Sequence, residues 1–177
     1  MTKYVALLRG IMPMNPNMKG EKLKGVFESL GFKNVKTVIA SGNVVFESGS
    51  KDVAGMEKKI ETAFPKQLGF KSTTIIKSKE DLEKIVAKNP FKGIKDEKPN
   101  YLVVTFFKHK PKAAKYPSKR NSYTILSAHD NAIASVIDLT HGNSPDFMRD
   151  LEKEFSKDIT TRTWKTIDRI LRKMEKN

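Results

Sequence analysis

Along the chain the apolar positions switch between a period of two and a period near 3.6. Lys3 to Arg9 is a compact, mostly apolar run and predicts a strand. After the turn-rich "MPMNPN", Leu23, Val26, Phe27 and Leu30 recur at helical spacing, and Gly31 stands where a left-handed cap belongs. "NVKTVIASGNVVFES" reads as two strands turning at Gly42-Asn43, a dipeptide that supplies positive φ. A second amphipathic helix places Val53, Met56, Ile60, Ala63 and Phe64 on one face, with Pro65 expected to kink or end it. "STTIIK" closes the series with a fourth strand. The order βαββαβ is the ferredoxin-like motif, which fixes an architecture and no activity.

Ser78 with Asp81 three residues on predicts a capping box, followed by a helix through Leu82, Ile85 and Val86 that Pro90 stops. "YLVVTFF", Tyr101 to Phe107, is apolar enough for a central strand. Tyr123–Ser127 and Ala132–Leu139 predict a hairpin turning at Asp130-Asn131. Ser144 and Pro145 then provide an N-cap and first helical position for a helix buried through Phe147, Met148, Leu151 and Phe155. A last helix is expected from about Thr163, with Trp164, Ile167, Leu171 and Met174 as its buried stripe. The fold class expected is α+β, with two α/β subdomains. Residues 1–78 form the ferredoxin-like one. Residues 79–177 form a second, with a smaller antiparallel sheet, a basic loop and two C-terminal helices.

Composition narrows the chemistry. The chain has no cysteine, which excludes disulfides, thiol catalysis and cysteine-ligated metals. His109, His129 and His141 make no helical metal pair, so no metal site or cofactor is expected, and His129 reads as a surface histidine at a turn. No P-loop, nucleophile elbow or dinucleotide fingerprint occurs. Asp138, Asp158 and His141 are only nominal general bases, and no residue set writes out a reaction. No apolar run reaches the roughly 20 residues of a membrane helix. The amino terminus lacks a small-residue cleavage site, which points to a cytoplasmic protein without membrane partners.

Charge is the strongest bias: Lys and Arg number 34 against 20 Asp and Glu, a net +14. That favours anionic partners, either a phosphate-bearing small molecule or nucleic acid. The densest run is the loop Lys108, Lys110, Lys112, Lys115, Lys119 and Arg120, which reads more readily as a solvated connection than as a phosphate-tracking surface. On the last helix Arg162, Lys165, Arg169 and Arg172 form a basic stripe. Arg162 stands apart, because at a helix N-terminus it demands a counter-charge, either an anion or Asp158. Tyr4 and Phe46 alone would occupy the base-stacking strands of an RNA-recognition module, which argues against that module.

Four segments, "YVALLRGI", "ASGNVVF", "KNPF" and "TTRTWKT", together resemble the domain-of-unknown-function 1697 family of bacterial proteins. The resemblance implies a soluble α+β protein with no established activity or cofactor. Its motif residues fall on Arg9 and Gly10, on Ser41, Gly42 and Asn43, on Asn89 and Pro90, and on Thr161, Arg162 and Trp164. Two departures remove amides: Met12, Pro13 and Met14 replace an asparagine and paired glycines, and Thr163 replaces an asparagine. The residues expected to bind an anion are Arg9, Ser41, Asn43, Thr160, Thr161 and Arg162, in a crevice between the subdomains, with Trp164 supporting from the core. Lys108, Lys110 and Lys112 with Arg162, Lys165, Arg169 and Arg172 form the nucleic-acid alternative, and an enzyme on a phosphorylated substrate is the third reading.

Overall fold

The computed structural model describes residues 1–111, 115–140 and 146–176. Lys112, His141, Ser144 and Pro145, all invoked above, lie outside the described residues. The chain divides into two compact units, Met1–Glu83 with Asp168–Asn177, and Lys84–Ile167. The expected boundary after residue 78 lies at the start of the helix in which this division falls.

The first unit runs β1 (Thr2–Leu8), α1 (Gly20–Ser29), β2 (Lys33–Thr37), β3 (Asn43–Ser48), α2 (Val53–Leu68) and β4 (Thr74–Ser78). Its antiparallel sheet has the order β2-β3-β1-β4, which is the ferredoxin-like arrangement. Strand alternation decides the core. Tyr4, Ala6 and Leu8 of β1 and Val44 and Phe46 of β3 face the apolar stripes of α1 and α2. The ring of Phe27 lies within 6.3 Å of Phe32, Phe46 and Phe64, centroid to centroid. Each such ring, removed from water, contributes about 2–3 kcal/mol. Tyr4 and Phe46 stack at 5.7 Å inside this core, so neither is displayed for base stacking.

Two local expectations are corrected. The β2–β3 connection does not turn at Gly42-Asn43. It spans residues 38–42, with left-handed backbone at Ile39 and Gly42, and Asn43 already opens β3. Asn43 sets this loop: its buried Nδ2 donates to the Val38 carbonyl at 3.0 Å and to Ser41 Oγ at 3.1 Å. Pro65 does not end α2 either. The helix runs on to Leu68, where left-handed Gly69 donates its N–H to the Phe64 carbonyl.

Strand β4 is an edge of the sheet, and its outward N–H groups need partners. Carboxylates supply them. Glu61 accepts from Thr74 N at 2.8 Å, Glu57 from Ile76 N at 2.9 Å and Asp81 from Ser78 N at 3.0 Å. The last bond is half of the expected capping box, completed by Asp81 N donating to Ser78 Oγ at 3.1 Å at the start of α3 (Lys79–Ala87).

The second unit contains β5 (Asn100–Phe107), the two-residue β6 (Ser118–Lys119), β7 (Tyr123–His129), β8 (Ala132–Asp138), α4 (Asp146–Glu154) and β9 (Ile159–Thr163). Its antiparallel order is β6-β7-β8-β5-β9, with the hairpin turn at Asp130 as expected. The sheet expected to be the smaller thus has five strands against four. Two of its strands are not expected from the sequence, the two-residue β6 and β9, the latter at the position expected to lead into the last helix. Ile159 to Thr163 are mostly β-branched and pair with β5 from Ile159↔Phe107 to Thr163↔Val103. Phe147 and Leu151 of α4 close the core over Val103, Ile125, Ile133 and Ile159. Helix α5 (Trp164–Glu175) starts directly after β9, with Thr163 as N-cap accepting from Thr166 N at 3.1 Å. Its most buried residues are Ile167, Ile170 and Met174, while Trp164 and Leu171 keep partial exposure. No helix among the described residues is long and apolar enough to cross a membrane.

Two substitutions test this packing by urea unfolding. Glu57→Leu strands the Ile76 N–H and is expected to destabilise the protein by about 2 kcal/mol. Ser135 sits in the α4 core with its hydroxyl buried and no partner for it among the described residues, so Ser135→Ala is expected to stabilise by about 1 kcal/mol.

Candidate functional site

The residues singled out for an anion occupy very different environments. Arg9 follows β1 in the first unit, its N–H bonded to the Thr73 carbonyl at 3.0 Å and its own carbonyl accepting from Ser72 Oγ at 2.8 Å. Ser41 is exposed, and Asn43 is committed to closing its loop. In the second unit Thr161 Oγ1 meets Thr105 Oγ1 at 2.7 Å across the β5–β9 ladder and Met148 Sδ at 3.0 Å. These hydroxyls serve the sheet.

Arg162 is not at a helix N-terminus. It lies inside β9, buried, with Nη1 donating to Thr160 Oγ1 at 2.7 Å and to the Thr161 carbonyl at 2.9 Å. Four residues of extended backbone separate it from Asp158 by roughly 13 Å, so the pairing suggested by a helical approach does not apply. Burial pulls the guanidinium down to about 10, which leaves it charged at neutral pH.

The basic stripe therefore loses its first member. Lys165 bonds the Asp96 carbonyl at 3.0 Å and lies 3.7 Å from its carboxylate, Arg172 pairs with Asp168 at 2.8 Å, and Arg169 is exposed. In the basic loop Lys108 donates its backbone N–H to the Asp158 carbonyl at 3.0 Å, and Lys110 is exposed. Among the nominal bases, Asp138 accepts from the N–H and hydroxyl of Thr140 and so closes its own turn. His129 Nε2 lies 2.8 Å from Ser127 Oγ, and partial burial, then Lys88, lowers its pKa against a smaller opposing effect of Asp130. No three His, Asp or Glu side chains converge as a metal site among the described residues.

A cluster the sequence reading missed lies in the first unit. Lys3 of β1, Lys36 of β2, and Lys173 and Lys176 of the C-terminal segment line one cleft of about 200 Å³, together with Asn34 and Glu47. Lys3 Nζ donates to the Met174 carbonyl at 2.7 Å and Lys36 Nζ to the Lys176 carbonyl at 2.9 Å. These two ammonium groups satisfy carbonyls that a helix C-terminus leaves open, and they offset its negative dipole end. Lys173 and Lys176 are exposed on the same rim. The register of β2 against β3 shifts between Lys33 and Lys36, and at this irregularity Asn34 adopts φ +49°. Its amide then donates to Glu47 Oε2 at 2.9 Å. Four lysines thus line the cleft together with one carboxylate, which the exposed Asn34 amide holds.

The segments that carry the family resemblance meet in pairs, each within one unit. Leu8 N donates to the Gly42 carbonyl at 2.8 Å, and Gly42 is so close to Ile11 that a Cβ there would stand 2.6 Å from Ile11 Cγ1. Phe91 packs edge-on against Trp164 with centroids 5.0 Å apart. The family model for proteins of unknown function DUF1697 matches residues 1–132. The chain belongs to this family. The "TTRTWKT" segment lies beyond the matched residues, so its resemblance stands on its own. No curated protein matches the chain. Among solved structures, a conserved bacterial protein from Streptococcus pneumoniae is similar at a TM-score of 0.69 and 21% identity, covering 99% of each chain. That likeness shows the fold.

Gly42→Ala combines positive φ with the Ile11 clash and is expected to lower stability by roughly 2–3 kcal/mol, read as a shift in urea midpoint. His129 gives a pH test. Its folded pKa lies below the unfolded value near 6.5, so the unfolded chain takes up the proton first and stability falls as pH drops through that value. The urea midpoint should decline from pH 7.5 to 5.5, and less steeply in His129→Gln.

Proposed function

We propose that the protein binds a small phosphate-bearing anion in the lysine-lined cleft of the first unit. The observation that carries this reading is the convergence of Lys3, Lys36, Lys173 and Lys176, drawn from three distant segments, on one cleft of about 200 Å³. The ligand class is the one the net charge suggested, but the residues are different. Arg162, Thr160, Thr161 and Asn43 have hydrogen-bond partners within their own sheets or loops, whereas Lys173 and Lys176 stand at the cleft rim. A phosphate there would be met by flexible point charges, each with three donors.

The test is isothermal titration with inorganic phosphate and with phosphate monoesters at low ionic strength. Binding should appear in the millimolar range or tighter and should weaken at least fivefold in Lys173→Ala/Lys176→Ala. Those two side chains are exposed, so the double variant should keep the wild-type melting temperature. Unchanged affinity in that variant, or no heat with any phosphate, rejects the cleft.

The net charge of +14 favours a second reading, a nucleic-acid backbone tracked by the same lysines. Fluorescence polarisation with a single-stranded oligonucleotide separates the two. Several phosphate contacts give a log–log salt slope of about −0.7 per contact, whereas a single phosphate contact gives a slope no steeper than about −1.

A further inference from the structure

We propose that the cleft selects phosphate monoesters bearing a free hydroxyl over simple phosphates, with Glu47 accepting the hydroxyl proton in a hydrogen bond. This rests on the anion-binding reading above and adds the class of ligand. A site evolved only to hold phosphate gains nothing from a carboxylate, since like charges repel and the site loses affinity. Here one is present, and it is placed with care. The register shift in β2 turns Asn34 into left-handed backbone, and its amide fixes Glu47 Oε2 at 2.9 Å. Glu47 stands opposite Lys3 in the β1–β3 ladder and shares the cleft with Lys36 and Lys173.

The helix end sharpens the point. Lys3 and Lys36 are drawn to the carbonyls of Met174 and Lys176, so part of their charge answers the C-terminal dipole. Lys173 and Lys176 then supply the cationic side of the cleft, and Glu47 with Asn34 supplies the acceptor side. A ligand that matches both must carry an anion and a hydrogen-bond donor within one small molecule. A hydroxylated phosphate monoester such as a sugar phosphate does so, whereas inorganic phosphate and methyl phosphate carry no hydroxyl other than the P–OH of the phosphate itself.

Isothermal titration of the full chain and of Glu47→Gln with ribose 5-phosphate, methyl phosphate and inorganic phosphate tests the assignment. Glutamine keeps the length of the side chain and a carbonyl oxygen for Asn34. In the wild type, ribose 5-phosphate should bind about tenfold more tightly than methyl phosphate, the advantage of a hydrogen bond to a charged acceptor. In Glu47→Gln that ratio should fall to about two or less, while methyl phosphate binds as well as before or better, because a repelling charge is gone. Equal wild-type affinity for the two esters, or a ratio unchanged in Glu47→Gln, overturns the selection by Glu47 while leaving anion binding intact. Absence of binding by all three compounds overturns the cleft itself and this proposal with it.

Discussion

The first unit depends on how one edge strand is closed. β4 lies at the rim of the sheet, and Thr74, Ile76 and Ser78 direct their N–H groups away from β1. Glu61, Glu57 and Asp81 accept from these three in turn. Glu57 and Glu61 are one helical turn apart, so a single face of α2 matches the two-residue repeat of the strand. The next face of the same helix carries Met56, Ile60 and Phe64 into the core. Polar and apolar contacts therefore fix α2 against β4 in one register, and the aromatic cluster around Phe27 packs on that frame. The edge is also shut against another strand.

That use of carboxylates bears on function. The chain has 20 acidic residues against 34 basic ones, and the acids at β4 are spent on backbone N–H groups. At the opposite rim, where β2 is the other edge, lysines collect instead. There the open carbonyls at the end of α5 hold Lys3 and Lys36, and the irregularity in β2 sets Asn34 on Glu47. One edge of the sheet is sealed by acids bonded to amides, and the other is dressed by lysines bonded to carbonyls.

The sequence made the first four strands, α1, α2 and the capping box at Ser78 legible, because each is a local pattern whose period or spacing has one structural meaning. It misled at β9. "ITTRT" alternates without apolar contrast, and threonine before a helix reads as a cap; only Thr163 is one. Arg162 stands out in the sequence as a cation at a helix start, whereas its peculiarity in the fold is burial within a strand. Gly42 was recognised as a turn residue, while Asn43 was not legible as the side chain that ties the loop. The lysine cleft had no sequence signal at all, since Lys36 and the carbonyl it bonds are 140 residues apart.

The type of cation in the cleft limits what it can discriminate. A guanidinium is a planar fork of donors that bonds two oxygens of one phosphate or carboxylate at once, so an arginine site distinguishes anions by shape. Arg162, the arginine that stands out in the sequence, lies buried inside the second sheet, where its Nη1 donates to Thr160 and Thr161. The cleft has lysines, whose ammonium groups attract any anion of suitable charge and impose little orientation. Specificity in such a site has to come from neutral or opposing groups fixed by the backbone. Asn34 and Glu47 are the lining groups of that kind, and their placement follows from the shifted register of β2. The same edge irregularity that interrupts the ladder therefore supplies the part of the cleft able to tell one phosphate from another.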